Sequence, residues 1–111
     1  MHKCNVAKCH GHVDANVADT YVNMGSVEDS RGNFQEALEY FEKALDIYLK
    51  SYGRAHVNVA ITKENTGHVY KHLGDLAHAR SCFDEAYSIF VQVLGPDHHN
   101  TRKAAHALQK L

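Results

Sequence analysis

The sequence predicts an all-α chain of antiparallel helix-hairpin repeats stacked as an α-solenoid, about two and a half repeats long. Three observations carry this expectation. Gly11, Gly53 and Gly95 stand 42 residues apart (53 − 11 = 42; 95 − 53 = 42). Sliding residues 15–56 onto 57–98 then gives 14 identities in 42 positions: Asn16/Asn58, Val17/Val59, Ala18/Ala60, Thr20/Thr62, Asn23/Asn65, Gly25/Gly67, Val27/Val69, Gly32/Gly74, Ala37/Ala79, Phe41/Phe83, Ala44/Ala86, Ile47/Ile89, Gly53/Gly95 and His56/His98. A single proline, Pro96, leaves long stretches free to be helical. A period of this size marks stacked supersecondary units, none of which buries its apolar face alone. Function is therefore to be sought on a surface rather than in a catalytic pocket.

Taken in order, residues 1–11 read as the last turns of an earlier second helix, or as a disordered tail. Lys8 precedes Gly11 as Lys50 precedes Gly53, and Val6, Ala7 and His10 align with Tyr48, Leu49 and Tyr52. Repeat one then spans 12–55 and repeat two 56–97. The first helix of each pair is expected over 15–30 and 57–72, the second over 34–51 and 76–94. In the second helices Phe34, Ala37, Leu38, Phe41, Ala44, Leu45 and Tyr48 recur at three and four, one apolar stripe on the helical period. Leu76, Ala79, Phe83, Ala86, Tyr87, Phe90 and Leu94 repeat the design.

Between the helices lie Arg31-Gly32-Asn33 and Leu73-Gly74-Asp75, where glycine can take positive φ past a helix end and Asn33 or Asp75 can cap the next helix. Gly53 and Gly95 close the second helices in the same way, with Pro96 barring continuation. Gly25 and Gly67 fall mid-helix, where glycine costs about 1 kcal/mol against alanine. That cost at one repeat position predicts close backbone approach, with Ala37, Ala44, Ala79 and Ala86 facing the glycines and the large aromatics on the flanks. Residues 98–111 restart a first helix with Ala104, Ala105, Leu108 and Leu111 as its buried stripe. Gln109 stands where the glycine would fall (67 + 42 = 109), which suits a partial repeat acting as a capping helix.

Composition excludes several classes of partner. The 12 basic and 13 acidic residues nearly cancel, so nothing favours nucleic acid or an anionic membrane. No apolar run approaches the roughly 20 residues of a membrane span, and the N-terminus leads into no signal-like apolar stretch. Cys4, Cys9 and Cys82 are odd in number and form no disulfide framework, which points to reduced thiols in a cytoplasmic setting.

The pattern Asn65, Gly67, Tyr70, Gly74, Ala79, Phe83 and Ala86 resembles a tetratricopeptide repeat. The 42-residue spacing and the linker Leu94-Gly95-Pro96-Asp97-His98 resemble the kinesin light chain-like type, as do Val17-Ala18-Asp19-Thr20-Tyr21 and the run from Ala37 to Leu45. The match covers about residues 12–108. It departs at Glu28, where the pattern has Tyr, and at Thr66, where it has Leu, which predicts poorer packing of the first helices. The resemblance implies a right-handed superhelix whose first helices line a concave groove that binds peptide segments of partner proteins. It implies peptide-backbone hydrogen bonds from Asn23 and Asn65, whose planar amides offer donor and acceptor together. The remaining groove walls are then Asp19, Val22, Ser26, Asp29 and Ser30 from repeat one, and Ile61, Glu64, His68, Lys71 and His72 from repeat two. No basic set matches the carboxylate clamp of chaperone-binding relatives.

Other groups with reactive chemistry have simpler readings. Glu64, His68 and His72 form one helical stripe, but a metal needs a further ligand that the sequence does not supply, so a peptide-facing or solvated stripe is expected. Cys4, Cys9, His10 and His12 crowd ligand chemistry near the N-terminus at a spacing of no zinc module. Cys82 reads as a small flank residue of the core, and His56 and His98 as holding the turn before the next helix. Ser26, Ser30, Ser81 and Ser88 lack a strained turn or glycine-rich loop to present a nucleophile, so no catalytic residue, cofactor or metal is expected. The expected function is a non-catalytic scaffold for protein–protein interaction. The alternative is a self-associating module, or a fragment of a larger multi-repeat signalling or transport adaptor, joined through exposed repeat ends.

Overall fold

The computed structural model describes the backbone from His2 to Leu111 and the side chains from Ala15 onward. Residues 2–11 lie in the same unbroken helix as 12–30, with no helix end at Gly11 and no start at 15; the Cys4/Cys9/His10/His12 cluster concerns side chains outside the described residues. Five α-helices follow one another: α1 (His2–Ser30), α2 (Phe34–Tyr52), α3 (Val57–Leu73), α4 (Leu76–Leu94) and α5 (His99–Gln109). The bounds repeat at the sequence period: α2 and α4 begin 42 residues apart (76 − 34 = 42), as do α3 and α5 (99 − 57 = 42). Each helix packs on its neighbour in sequence, α1 on α2, α2 on α3, α3 on α4 and α4 on α5. The Cα envelope measures 51 × 33 × 19 Å, the shortest dimension being that of two helix layers.

Short loops enforce the antiparallel pairing. After α1 the N–H of Asn33 reaches the carbonyl of Glu28 (2.8 Å), and after α3 that of Asp75 reaches Tyr70 (2.9 Å). Both are six-to-one closures that need a left-handed residue, supplied by Gly32 (φ 85°) and Gly74 (φ 82°). The two caps that follow differ. Asp75 accepts from the His78 N–H (3.1 Å), whereas the Asn33 side chain makes no cap and instead donates to Glu28 Oε1 (2.7 Å). Glu28, at a position where the repeat pattern has Tyr, thus secures the turn. His56 and His98 cap α3 and α5, each Nδ1 accepting the N–H two residues on, from Asn58 (3.0 Å) and Asn100 (3.1 Å).

The core lies along the helix seams. Ala44 and Tyr48 of α2 pack with Ala18 of α1 and Val59 of α3; Ala37, Leu38 and Phe41 pack with Val69. One repeat further on, Ala86 and Phe90 pack with Ala60 of α3 and Ala104 of α5. The small residues that share these clusters are Ala44 with Ala18, and Ala86 with Ala60 and Ala104. The mid-helix glycines have a different neighbour from the expected alanines. A Cβ built on Gly25 would lie 2.7 Å from the Phe41 ring, and one on Gly67 2.8 Å from the Phe83 ring. The aromatics do not fill flanks; each lies across the bare backbone of the opposing glycine.

Thr66, at a position where the repeat pattern has Leu, is buried with its hydroxyl donating to the Thr62 carbonyl (2.8 Å), so the smaller residue leaves no unsatisfied polar atom of its own. In α5 the buried pair is Thr101 and Ala104, with Ala105, Leu108 and Leu111 only half-buried. Thr101 Oγ1 donates to the Gly95 carbonyl (2.8 Å) and ties the capping helix to the end of α4.

Candidate functional site

The first helices α1 and α3 meet along one side of the molecule, and a cleft opens between them. It is lined by Asp19, Val22 and Asn23 from α1, Tyr48 from α2, and Asn58, Ile61 and Thr62 from α3. Val22 and Ile61 give it apolar walls, and Asn23 stands exposed at the rim. The Tyr48 hydroxyl donates to Asp19 Oδ1, which fixes that carboxylate across the α1–α2 seam. Burial, then the bonded Asp19 carboxylate, raises the Tyr48 phenol above its ordinary value and keeps it a donor.

Towards the far end of α1, Asp29 Oδ1 lies 2.9 Å from His72 Nδ1, joining the first helices of the two repeats directly. The His72 ring also stacks, tilted, on Phe34 at 5.6 Å. His68, one turn before His72, packs edge-on to Phe83 at 5.0 Å. Burial, then the Coulombic influence of Lys71, His72 and Lys103, lowers its basicity. Because the folded form disfavours the charged ring, His68 adds stability above its ordinary range that is lost as the pH falls through it.

Glu64 is only 4 % exposed, deeper than a groove-wall residue, and its Oε2 has no hydrogen-bond partner among the described residues. Burial raises its carboxyl, while Lys103 and His99 on α5 pull in the other direction. The sign follows from the raised value: the folded chain holds the proton more tightly than the unfolded one. Stability is thus greatest below the ordinary carboxylate range and falls as the pH rises through the folded value. Val22 occupies the same position in repeat one (22 + 42 = 64), so the site tolerates an apolar side chain. Glu64→Met is expected to raise stability at pH 7 by about 1–3 kcal/mol, with much less gain at pH 4; thermal melts across that range check it.

The remaining candidates sit as follows. Ser26, Lys71 and His72 are exposed, and Asn65, Ile61 and Asp29 are half-buried. No group of three or more His, Cys, Asp or Glu among the described residues is placed to hold a metal ion. A second concavity, between the α2–α3 loop and α4, includes Leu49, Arg54, Val59 and Ile89 and is crossed by the Lys63–Glu85 pair at 2.9 Å. Cys82 is a free, half-buried thiol whose ionisation burial disfavours.

The family model for the tetratricopeptide repeat matches residues 16–90 and again 58–108. The chain belongs to the tetratricopeptide repeat family. Among solved structures, BtubC (BKLC) from P. vanneervenii shares the fold, with a TM-score of 0.72 at 23% identity. The aligned region covers 78% of this chain and 34% of BtubC, so the present chain spans about a third of that protein. No curated protein sequence matches the chain. Tetratricopeptide repeats are generally protein–protein interaction modules and typically non-catalytic scaffolds.

In this tetratricopeptide array, α1, α3 and α5 are the first helices and α2 and α4 the second. Sequence reasoning did not place Tyr48, Asn58, Lys103 or His99 near the first-helix surface. Tyr48 could have been suspected, because a buried phenol on an apolar stripe needs an acceptor. Lys103 and His99 reach Glu64 only because α5 folds back, which no local pattern encodes. No helix among the described residues is long and apolar enough to cross a membrane.

Proposed function

We propose that the chain is a protein-binding module whose groove, walled by α1, α3 and α5, takes a peptide segment or helix of a partner protein. The observation that carries this reading is the pair of uncommitted amides. Asn23 and Asn65 occupy equal positions in the two repeats, and among the described residues no hydrogen bond engages either side chain. Several polar groups beside them are bonded within the array: Asp19 by Tyr48, Asp29 by His72, and Thr62 and Thr66 by their own helix. A planar amide beside an apolar cleft suits a peptide backbone, which presents N–H and C=O together while its side chains enter the cleft. Ser26, Asp29, Ile61, His68, Lys71 and His72 complete the proposed contact surface, with Glu64 buried beneath it. Its mixed charge favours a partner segment that is neither strongly acidic nor strongly basic.

The 42-residue period in the helix bounds supports assignment to the kinesin light chain-like type, and the free thiol of Cys82 supports a reducing, cytoplasmic setting. A partner captured with the chain as bait provides the test. Asn65→Ala is expected to weaken its affinity about tenfold or more, the loss of a hydrogen-bonded pair in a desolvated site, with circular dichroism unchanged. Unaltered affinity in both Asn65→Ala and Asn23→Ala would remove the groove reading.

A further inference from the structure

The two repeats present the same stripe in opposite states. On α3, Val59 (1 % exposed), Thr62, Thr66 and Val69 (0 %) are all buried. Their counterparts on α1, shifted by 42, are Val17 (38 %), Thr20, Met24 (39 %) and Val27 (52 %), and all are exposed. Three of the four pairs are the same residue type. Positions 17, 20, 24 and 27 follow a three-four-three spacing, a continuous seam on one side of the helix. The threonines agree in detail as well. Thr62 Oγ1 donates to the Asn58 carbonyl (2.8 Å) and Thr20 Oγ1 to the Asn16 carbonyl (3.3 Å). The Thr20 hydroxyl is therefore already satisfied within its own helix, as a residue ready for burial requires.

Repeat two shows what covers this stripe. On α3 it is covered by α2, through Ala44 and Tyr48 at Val59 and through Ala37, Leu38 and Phe41 at Val69. We infer that the Val17/Thr20/Met24/Val27 face of α1 is a docking site for an amphipathic helix of the α2 kind, carried by another protein. Such a helix presents small residues alternating with Leu and aromatic side chains along one stripe. A folded second copy has no such helix to offer. Its α2 is occupied by α3, and the C-terminal half of its α4 is covered by α5 through Phe90 and Ala104. The other half of α4 exposes Leu76, but it carries an exposed Arg80 where α2 has Leu38 (38 + 42 = 80), so it presents no continuous apolar stripe. The docking face is distinct from the groove carrying Asn23 and Asn65, and the inference stands independently of the groove reading.

The probe is a labelled 19-residue peptide of the α2 sequence, Phe34–Tyr52, titrated with the full chain and followed by fluorescence anisotropy. Saturable one-to-one binding is expected, weakened at least tenfold by Val27→Asp and by Met24→Glu. Both substituted positions are exposed, so helicity and melting of the variants should match the parent. Asn65→Ala should leave the peptide's affinity unchanged, and a peptide carrying Leu38→Ser and Phe41→Ser should not bind. Absence of binding, or binding indifferent to both α1 variants, overturns the proposal. So does sedimentation showing that the chain alone pairs through this face and that Val27→Asp abolishes the pairing, since the occupant is then a second copy.

Discussion

Phe83→Ala is expected to destabilise the chain by about 3–5 kcal/mol, as truncation of a large buried aromatic does. Phe83 is fully buried at the α3–α4 seam, where its ring lies over Gly67 and edge-on to His68. The cavity left behind is bordered on one side by bare glycine backbone, which has no side chain to relax into it. Domains of this size are stable by about 5–15 kcal/mol, so a loss of this magnitude leaves the array marginal or unfolded. Urea titration gives the number. A second readout comes from His68: burial is the main cause of its lowered basicity, so opening the seam should move its titration back towards the ordinary imidazole range.

The second large effect runs against simple helix propensity. In an exposed helix, glycine to alanine gains about 1 kcal/mol. At Gly67 the added Cβ would stand 2.8 Å from Phe83 Cε1 and 2.9 Å from Cδ1, against a ring that is fully buried. Overpacking of this kind costs about 1–3 kcal/mol, so Gly67→Ala is expected to be net destabilising. The cause can be isolated, because Phe83→Leu removes Cε1 and Cζ, two of the three nearest ring atoms. In the double variant the two changes should be less harmful than their sum, a coupling of about 1 kcal/mol or more between contacting residues. Additive effects would mean that the ring does not lie over the glycine.

Much of this architecture was legible in the sequence, for physical reasons that also mark where legibility ended. The apolar stripes of α2 and α4 and the glycines at 32, 53, 74 and 95 are local signals, and the helix ends fall within a residue or two of them. The stripe said that Ala37, Phe41 and Ala44 share a face, but not which of them meets Gly25. That depends on the stagger of two helices, which periodicity does not encode. Glu64 shows the same limit from the other side. A carboxylate on a first helix reads as groove lining, yet its burial accompanies the return of α5, whose Lys103 and His99 temper its charge. The Tyr48–Asp19 bond spans 29 residues and joins two helices whose faces were read separately. Asn33 and Asp75 looked equivalent as caps; the proximity of Glu28 diverted one of them.

Repetition gave the sequence more resolving power than periodicity alone. Val59 and Val69 are buried in clusters that include α2 side chains, whereas Val17 and Val27, the same side chains one repeat earlier, are exposed. Identical residues in unlike surroundings separate what a helix face is shaped to do from what currently covers it.

The central claim is that successive hairpins at a 42-residue period bury their aromatic seams against one another, and the most direct test is nuclear Overhauser contact in solution. Cross-peaks are predicted from the Gly67 α-protons to the Phe83 ring, from the Val59 methyls to the Tyr48 ring, and from the Val69 methyls to the Leu38 methyls or Phe41 ring. A helical chain in which the Gly67–Phe83 contact is present but those from α2 to α3 are missing would contradict it, since the hairpins would then form without stacking.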